Sequence, residues 1–203
     1  MKDVLKFILK NSIIFALVSF GFSMIGAFFP ESEFTIVIGN PLVVSSVTYE
    51  HVLGHVFWGA IIGLGTLSIR YIIIGGSFAI FLDSDHLLQF LDIELVSRMS
   101  HSIPFAVIAT VVFFVITRGK DIRICAVAFG AVLSHIAFDV FLADVMLGSD
   151  TDFPLFSPFT FESVSLQGLD WLGIQIAGVS LVAITSYFYK RKEMKLKNNL
   201  TKT

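Results

Sequence analysis

One apolar run constrains this chain more than any other feature. From Ile124 to Leu147 the sequence is long enough to cross a bilayer, yet it holds His135 and Asp139 inside the segment Ser134-His135-Ile136-Ala137-Phe138-Asp139. A span of about 20 apolar residues reads as a transmembrane helix. On a helix, positions four apart share a face, so His135 and Asp139 point the same way. Ionisable side chains in hydrocarbon are costly unless partnered, so such a pair marks a functional site. Asp144, further along the run, reads as a solvated residue at its mouth.

Five other runs surround this one: Phe7 to Phe29, His51 to Leu67, Tyr71 to Leu82, His101 to Thr117 and Leu169 to Tyr189. Only 15% of the residues are charged and the mean hydropathy is +0.84, against about a quarter charged in a soluble domain. Twenty-two phenylalanines suit a lipid-facing surface. The short Tyr71–Leu82 run is expected to continue as helix through Asp83-Ser84-Asp85-His86. Cys125 is the single cysteine, which excludes an intramolecular disulfide. The reading is an all-α, polytopic membrane helix bundle of about six transmembrane helices in one domain, 1–203. Residues 1–29 form an N-terminal anchor, retained rather than cleaved as a signal peptide for want of an A-x-A-like site. Residues 51–189 form the helical core and 190–203 a basic tail. Residues 31–48 alternate enough for a short outside hairpin turning at Gly39-Asn40-Pro41, and the loop 148–167 is expected to lie against the outer mouth.

Six crossings place 13 of the 14 basic residues on one side, Arg98 excepted. Positive charge marks the cytoplasmic face, so both termini are expected there. With a rise of about 1.5 Å per residue, axial heights follow. Asp83, Asp85 and His86 stand ~20, ~22 and ~24 Å above Arg70, and His55 and His51 ~22 and ~28 Å. His101 is ~25 Å above Arg118, and His135 and Asp139 are ~18 and ~24 Å above Arg123. Four segments thus carry imidazoles and carboxylates to one layer in the outer half of the membrane.

Neutral imidazole and carboxylate together are ligands for a divalent cation, zinc first among them, in one or more ions. The metal candidates are His51, His55, Asp83, His101, His135 and Asp139. Asp85 and His86 are either further ligands or the groups that orient water, and Arg98 is placed to hold a phosphate oxygen. Each has a plainer reading: His51, His55 and His101 as helix-end histidines, Asp83 and Asp85 as a solvated helix terminus, and the His135–Asp139 pair as a structural hydrogen bond. Gly59 and Gly63, continuing the His51–His55 stripe, suit close helix packing.

Several stretches resemble the YdjM-type family of membrane-bound metal-dependent hydrolases, also called LexA-binding inner-membrane-associated hydrolases. They are Gly54-His55, Leu82-Asp83-Ser84-Asp85-His86, Ser100-His101-Ser102, Gly130 to His135 with Asp139, and Pro154-Leu155-Phe156-Ser157-Pro158-Phe159. Val96-Ser97-Arg98-Met99-Ser100 stands where that family has a His-Arg-Gly run. The order His, Asp, His, His-x3-Asp is also similar to that of zinc-dependent phospholipase C and the single-strand nucleases, which are phosphodiesterases. The resemblance implies a metal-dependent hydrolase in the plasma or inner membrane, cleaving a phospholipid or lipid-linked phosphoester from the extracytoplasmic side. The alternatives are a proton or divalent-metal transporter and a non-catalytic protein with a structural metal. The short basic tail gives no reason to expect nucleic acid as a partner.

Overall fold

The computed structural model describes residues 2–26, 28–29, 48–91, 98–149 and 151–200. The expected hairpin lies outside them except for Thr48. Among the described residues six α-helices make the fold all-α: α1 Lys2–Gly26, α2 Tyr49–Leu64, α3 Ile69–Phe81, α4 Ile103–Thr117, α5 Ile122–Phe141 and α6 Asp170–Leu200. Three stretches among the described residues, Lys2–Gly26, Ile122–Val145 and Asp170–Asn199, are long and apolar enough to cross a membrane. The other helices are shorter, at 16, 13 and 15 residues.

The outer helices are inside-out relative to a soluble bundle. Helix α1 buries Asn11, Ser12, Ser19 and Ser23 beside Phe15 and Phe22, while Leu9, Ile13 and Leu17 face outward, Leu17 at 65% exposure. Helix α6 likewise buries Gln175 and Ser186 and exposes Ile176, Ile184 and Phe188. Lipid tails are as apolar as leucine, so such helices associate through packing and hydrogen bonds rather than by hiding leucine.

Helix α5 is the hub, buried along most of its length against α3, α4 and α6. Helices α2 and α3 touch backbone to backbone. A Cβ on Gly59 would sit 2.3 Å from the Gly75 carbonyl oxygen, and one on Gly63 2.3 Å from that of Tyr71. The glycines permit this approach because nothing projects from them. Phenylalanine does not divide as its abundance suggested. Phe15, Phe78 and Phe113 form a buried aromatic stack, with Phe15 and Phe78 centroids 4.4 Å apart, whereas Phe57, Phe114 and Phe188 face outward.

Past Phe81 the chain tightens into a 3-10 helix, Leu82–Leu91, with a break at Asp83 (φ −81°, ψ 20°). The expected continuation as helix through His86 is present, but in this tighter 3-10 form and with a break at Asp83. Helix α5 runs into one π-type segment, Leu142–Leu147. The loop after it contains strands the sequence did not suggest: β1 Thr151–Phe153 pairs antiparallel with β2 Val164–Leu166, Phe153 opposite Val164. At the opposite end of the bundle, the Tyr71 hydroxyl donates to Asp121 and accepts from Arg70 Nη2 at 2.9 Å. The Arg70 and Arg123 guanidinium carbons lie 4.7 and 5.0 Å from the centroid of the Tyr71 ring.

Candidate metal centre

Four segments deliver the site. Helix α2 carries His51 and His55 on one face, four residues apart, and Thr48 caps its first turn by accepting from the His51 backbone N–H. The break at Asp83 turns Asp83, Asp85 and His86 inward within four residues, all buried. His101 precedes the Ser102 cap of α4, and α5 supplies His135 and Asp139. His55 and His135 have no exposed surface.

Asp83 lies at the centre. Its Oδ1 is 3.2 Å from the Nε2 atoms of both His101 and His135 and 3.6 Å from that of His86. Its Oδ2 is 3.2 Å from His51 Nε2 and 3.6 Å from His55 Nε2. Asp139 Oδ1 is 3.2 Å from His55 Nε2, and Oδ2 is 3.4 Å from His135 Nε2. The His51 and His55 Nε2 atoms are 2.9 Å apart, as are those of His101 and His135.

The tautomers follow from what the far side of each ring meets. His135 Nδ1 is 2.7 Å from the Ala79 carbonyl oxygen, which can only accept, so Nδ1 carries a proton, and in the neutral ring the Nε2 lone pair then faces the cluster. His101 reaches the same state through a relay. Ser23 Oγ donates to Ser100 Oγ at 3.0 Å, Ser100 Oγ donates to the Leu82 carbonyl at 3.4 Å, and His101 Nδ1, 3.3 Å from Ser100 Oγ, donates to it. Two nitrogen lone pairs then face each other at 2.9 Å, beside carboxylate oxygens. Without protons between them that arrangement is repulsive, and a cation on the shared axis makes it attractive. Fixing a ring through its other N–H is how ligating histidines are oriented.

Four overlapping sets can each hold a metal ion: His51/His55/Asp83, His55/His135/Asp139, Asp83/His101/His135 and Asp83/Asp85/His86, with donor atoms within 4.8 Å of one another in each. Imidazole with carboxylate suits several divalent first-row ions and does not choose among them. Both Asp85 oxygens are buried without a hydrogen-bond partner among the described residues, at 1% exposure for the residue, a costly state for a carboxylate lacking a cation nearby.

The structure thus brings His51, His55, Asp83, Asp85, His86, His101, His135 and Asp139 into one cluster. Arg98 lies over Phe153. Its guanidinium carbon is 5.9 Å from the Phe153 centroid, and that ring faces His101 at 6.3 Å. Asp144 sits half-buried in the π-type segment after α5. The sequence reading missed the supporting groups: Ser23, Ser100, and Ser19, whose Oγ donates to the Leu82 carbonyl at 2.9 Å. The available signal was the row of small polar residues at helical spacing inside an otherwise apolar α1. No family model, curated protein or solved structure matches this chain.

Proposed function

We propose that the chain is a polytopic membrane enzyme of the YdjM type, a metal-dependent hydrolase that cleaves a phosphoester of a membrane lipid or lipid-linked substrate from the extracytoplasmic side. The observation that carries this reading is the convergence of imidazole Nε2 atoms on two aspartates inside an apolar bundle. A divalent cation held by His55, Asp83, His101, His135 and Asp139 would supply Lewis acidity toward a phosphoryl oxygen and lower the pKa of a bound water. Zinc is the first candidate, since two imidazoles and a carboxylate are a common zinc set.

The chain's own residues divide the remaining work. His101 and His135, locked by Ser100 and the Ala79 carbonyl, keep their lone pairs directed at the cluster. Asp85 has two uncommitted oxygens, the property a general base requires of a carboxylate beside the nucleophilic water. His86, on the next residue, is assigned the proton for the leaving group. Arg98 is assigned to the headgroup phosphate on the outer side of Phe153. The six-crossing topology, with the basic ends of the helices in the cytoplasm, belongs to the same proposal and rests on the positive-inside distribution.

The rival reading, a transporter for protons or metal, needs a polar path onward through the bundle. On the basic side of the cluster the buried core holds Phe15, Ile74, Phe78, Phe113 and Ile124, and the buried polar residues there among those described, Asn11, Ser12 and Thr66, carry no ionisable group; the lack of an ionisable path favours the hydrolase. The test is detergent-purified protein assayed with and without chelator against a panel of phospholipids and lipid-linked phosphoesters, beside His135→Ala and Asp139→Asn. Chelator-sensitive release of a phosphorylated headgroup, lost in both variants, supports the proposal. Folded, metal-loaded protein that hydrolyses nothing, or that carries the metal into proteoliposomes, refutes it.

A further inference from the structure

Helix α6 is longer than a bilayer requires. Its 31 residues rise about 46 Å, whereas the hydrocarbon layer is about 30 Å thick. Asp170 to Tyr189 covers about 30 Å by itself, so Lys190 to Leu200 stands about 16 Å beyond. The extension is held at its base: the Tyr189 hydroxyl donates to the Lys120 carbonyl at 3.2 Å, and the Arg123 guanidinium carbon lies 4.2 Å from the Tyr189 centroid. It carries Lys190, Arg191, Lys192, Lys195 and Lys197 against one carboxylate, Glu193. Helical geometry divides these charges. At about 100° per residue, Arg191, Lys192 and Lys195 fall within about 60° of Phe188, while Lys190, Glu193 and Lys197 fall on the opposite side. Phe188 in turn ends an exposed apolar stripe with Leu181 and Ile184 along the spanning part. Among the described residues, Phe188, Arg191, Lys192 and Lys195 line an open hollow of about 370 Å³.

We infer that this face of α6 binds an anionic phospholipid of the leaflet at the basic end of the bundle, its chains along Leu181, Ile184 and Phe188 and its phosphate among Arg191, Lys192 and Lys195. The inference rests on α6 spanning the membrane and not on the hydrolase chemistry. Continuity of the face selects lipid as the occupant. A lipid lying on the apolar stripe carries its phosphate just past the hydrocarbon boundary, where the headgroup layer is about 5–8 Å deep. Arg191 and Lys192 stand about 3 and 5 Å past Tyr189 and Lys195 about 9 Å, and their flexible stems reach along the helix. Arg191 offers a planar fork to two phosphate oxygens, and the lysines act as point charges. A zwitterionic headgroup brings its own ammonium to this cationic face, so a headgroup of net negative charge is preferred. Each cation at such a surface is worth a roughly fivefold preference. A soluble polyanion would have no use for the stripe.

The experiment uses the full chain carrying Ile184→Trp in vesicles of phosphatidylcholine and phosphatidylglycerol, with one lipid or the other brominated on its chains. The introduced indole sits on the stripe, and Trp171, with Trp58 stacked on it, is about 20 Å away along α6; the unsubstituted chain supplies their background. Quenching by each brominated lipid gives their relative affinity at this face. Phosphatidylglycerol is expected to be favoured by about fivefold or more, and less so as salt is raised. In that background Lys192→Gln/Lys195→Gln is expected to bring the preference below about twofold, while Lys190→Gln/Lys197→Gln, of equal net charge, keeps it. Equal quenching by both lipids overturns the inference and leaves the patch to a soluble polyanion. Equal losses in the two double variants overturn it in favour of diffuse charge, and loss of the preference to inorganic phosphate at constant ionic strength overturns it in favour of a free anion. The parent's preference and its response to phosphate decide even if a double variant fails to fold. A chain that does not enter the vesicles overturns the membrane reading as well, whereas lost selectivity in an inserted chain overturns the lipid site alone.

Discussion

Ser100→Ala tests the relay that ties α1 to the metal centre. Ser100 is fully buried, and its Oγ accepts from Ser23 at 3.0 Å, accepts from His101 Nδ1 at 3.3 Å and donates to the Leu82 carbonyl at 3.4 Å. Removing it leaves the Leu82 carbonyl with the Ser19 hydroxyl at 2.9 Å, so that group is not orphaned. His101 is, and its ring is then free to turn or to move its proton to Nε2, where it opposes a cation. Losing such an outer partner typically weakens metal binding by about 10–100-fold, or about 1.4–2.7 kcal/mol. The assay is competition with a chromophoric chelator, folding being checked by circular dichroism and size exclusion. Ser23→Ala, one step further out, is expected to cost less than Ser100→Ala, and the double variant little more than Ser100→Ala alone. An affinity unchanged within about twofold in Ser100→Ala, while His101→Ala abolishes binding, would show that His101 is oriented by something other than this relay.

Four further outcomes follow from the same geometry. Asp85→Asn is expected to keep the bound metal while hydrolysis falls by about 100-fold or more, the range set by losing a general base; metal lost along with activity would make Asp85 a ligand instead. Gly59→Ala places a methyl group 2.3 Å from the Gly75 carbonyl oxygen and should part α2 from α3, measured as aggregation or a lower melting temperature in detergent. Gly21→Ala meets nothing within 4 Å and should be neutral or stabilising by up to about 1 kcal/mol, since alanine is the better helix former. Chelation should lower the apparent melting temperature, because ion at about 100 times its dissociation constant contributes about 2.7 kcal/mol to the folded state; an unchanged transition with the metal demonstrably removed would count against the centre as a structural element.

Much of this was legible in the chain itself, because a helix converts residue number into height. The apolar runs announced an all-helical bundle, and counting from Arg70, Arg118 and Arg123 put His55, Asp83, His101, His135 and Asp139 in one layer. The i,i+4 spacing of His51 with His55 and of His135 with Asp139 gave each pair a common face. What height does not carry is rotation about the helix axis and the identity of the neighbour. The tertiary structure alone decided that α1 turns its serines inward and its leucines out, because Ser19 and Ser23 meet the Leu82 carbonyl and Ser100 there. It alone sorted phenylalanine between a buried stack and the outer surface, a choice that depends on azimuth and not on composition. The 3-10 turn at Asp83 and the β1–β2 hairpin escaped the linear reading because both answer to what they pack against, Phe153 of β1 facing His101 across the chain. Which oxygen of Asp83 faces which imidazole is a matter of a few ångströms between four separate segments, set only when all four are packed together.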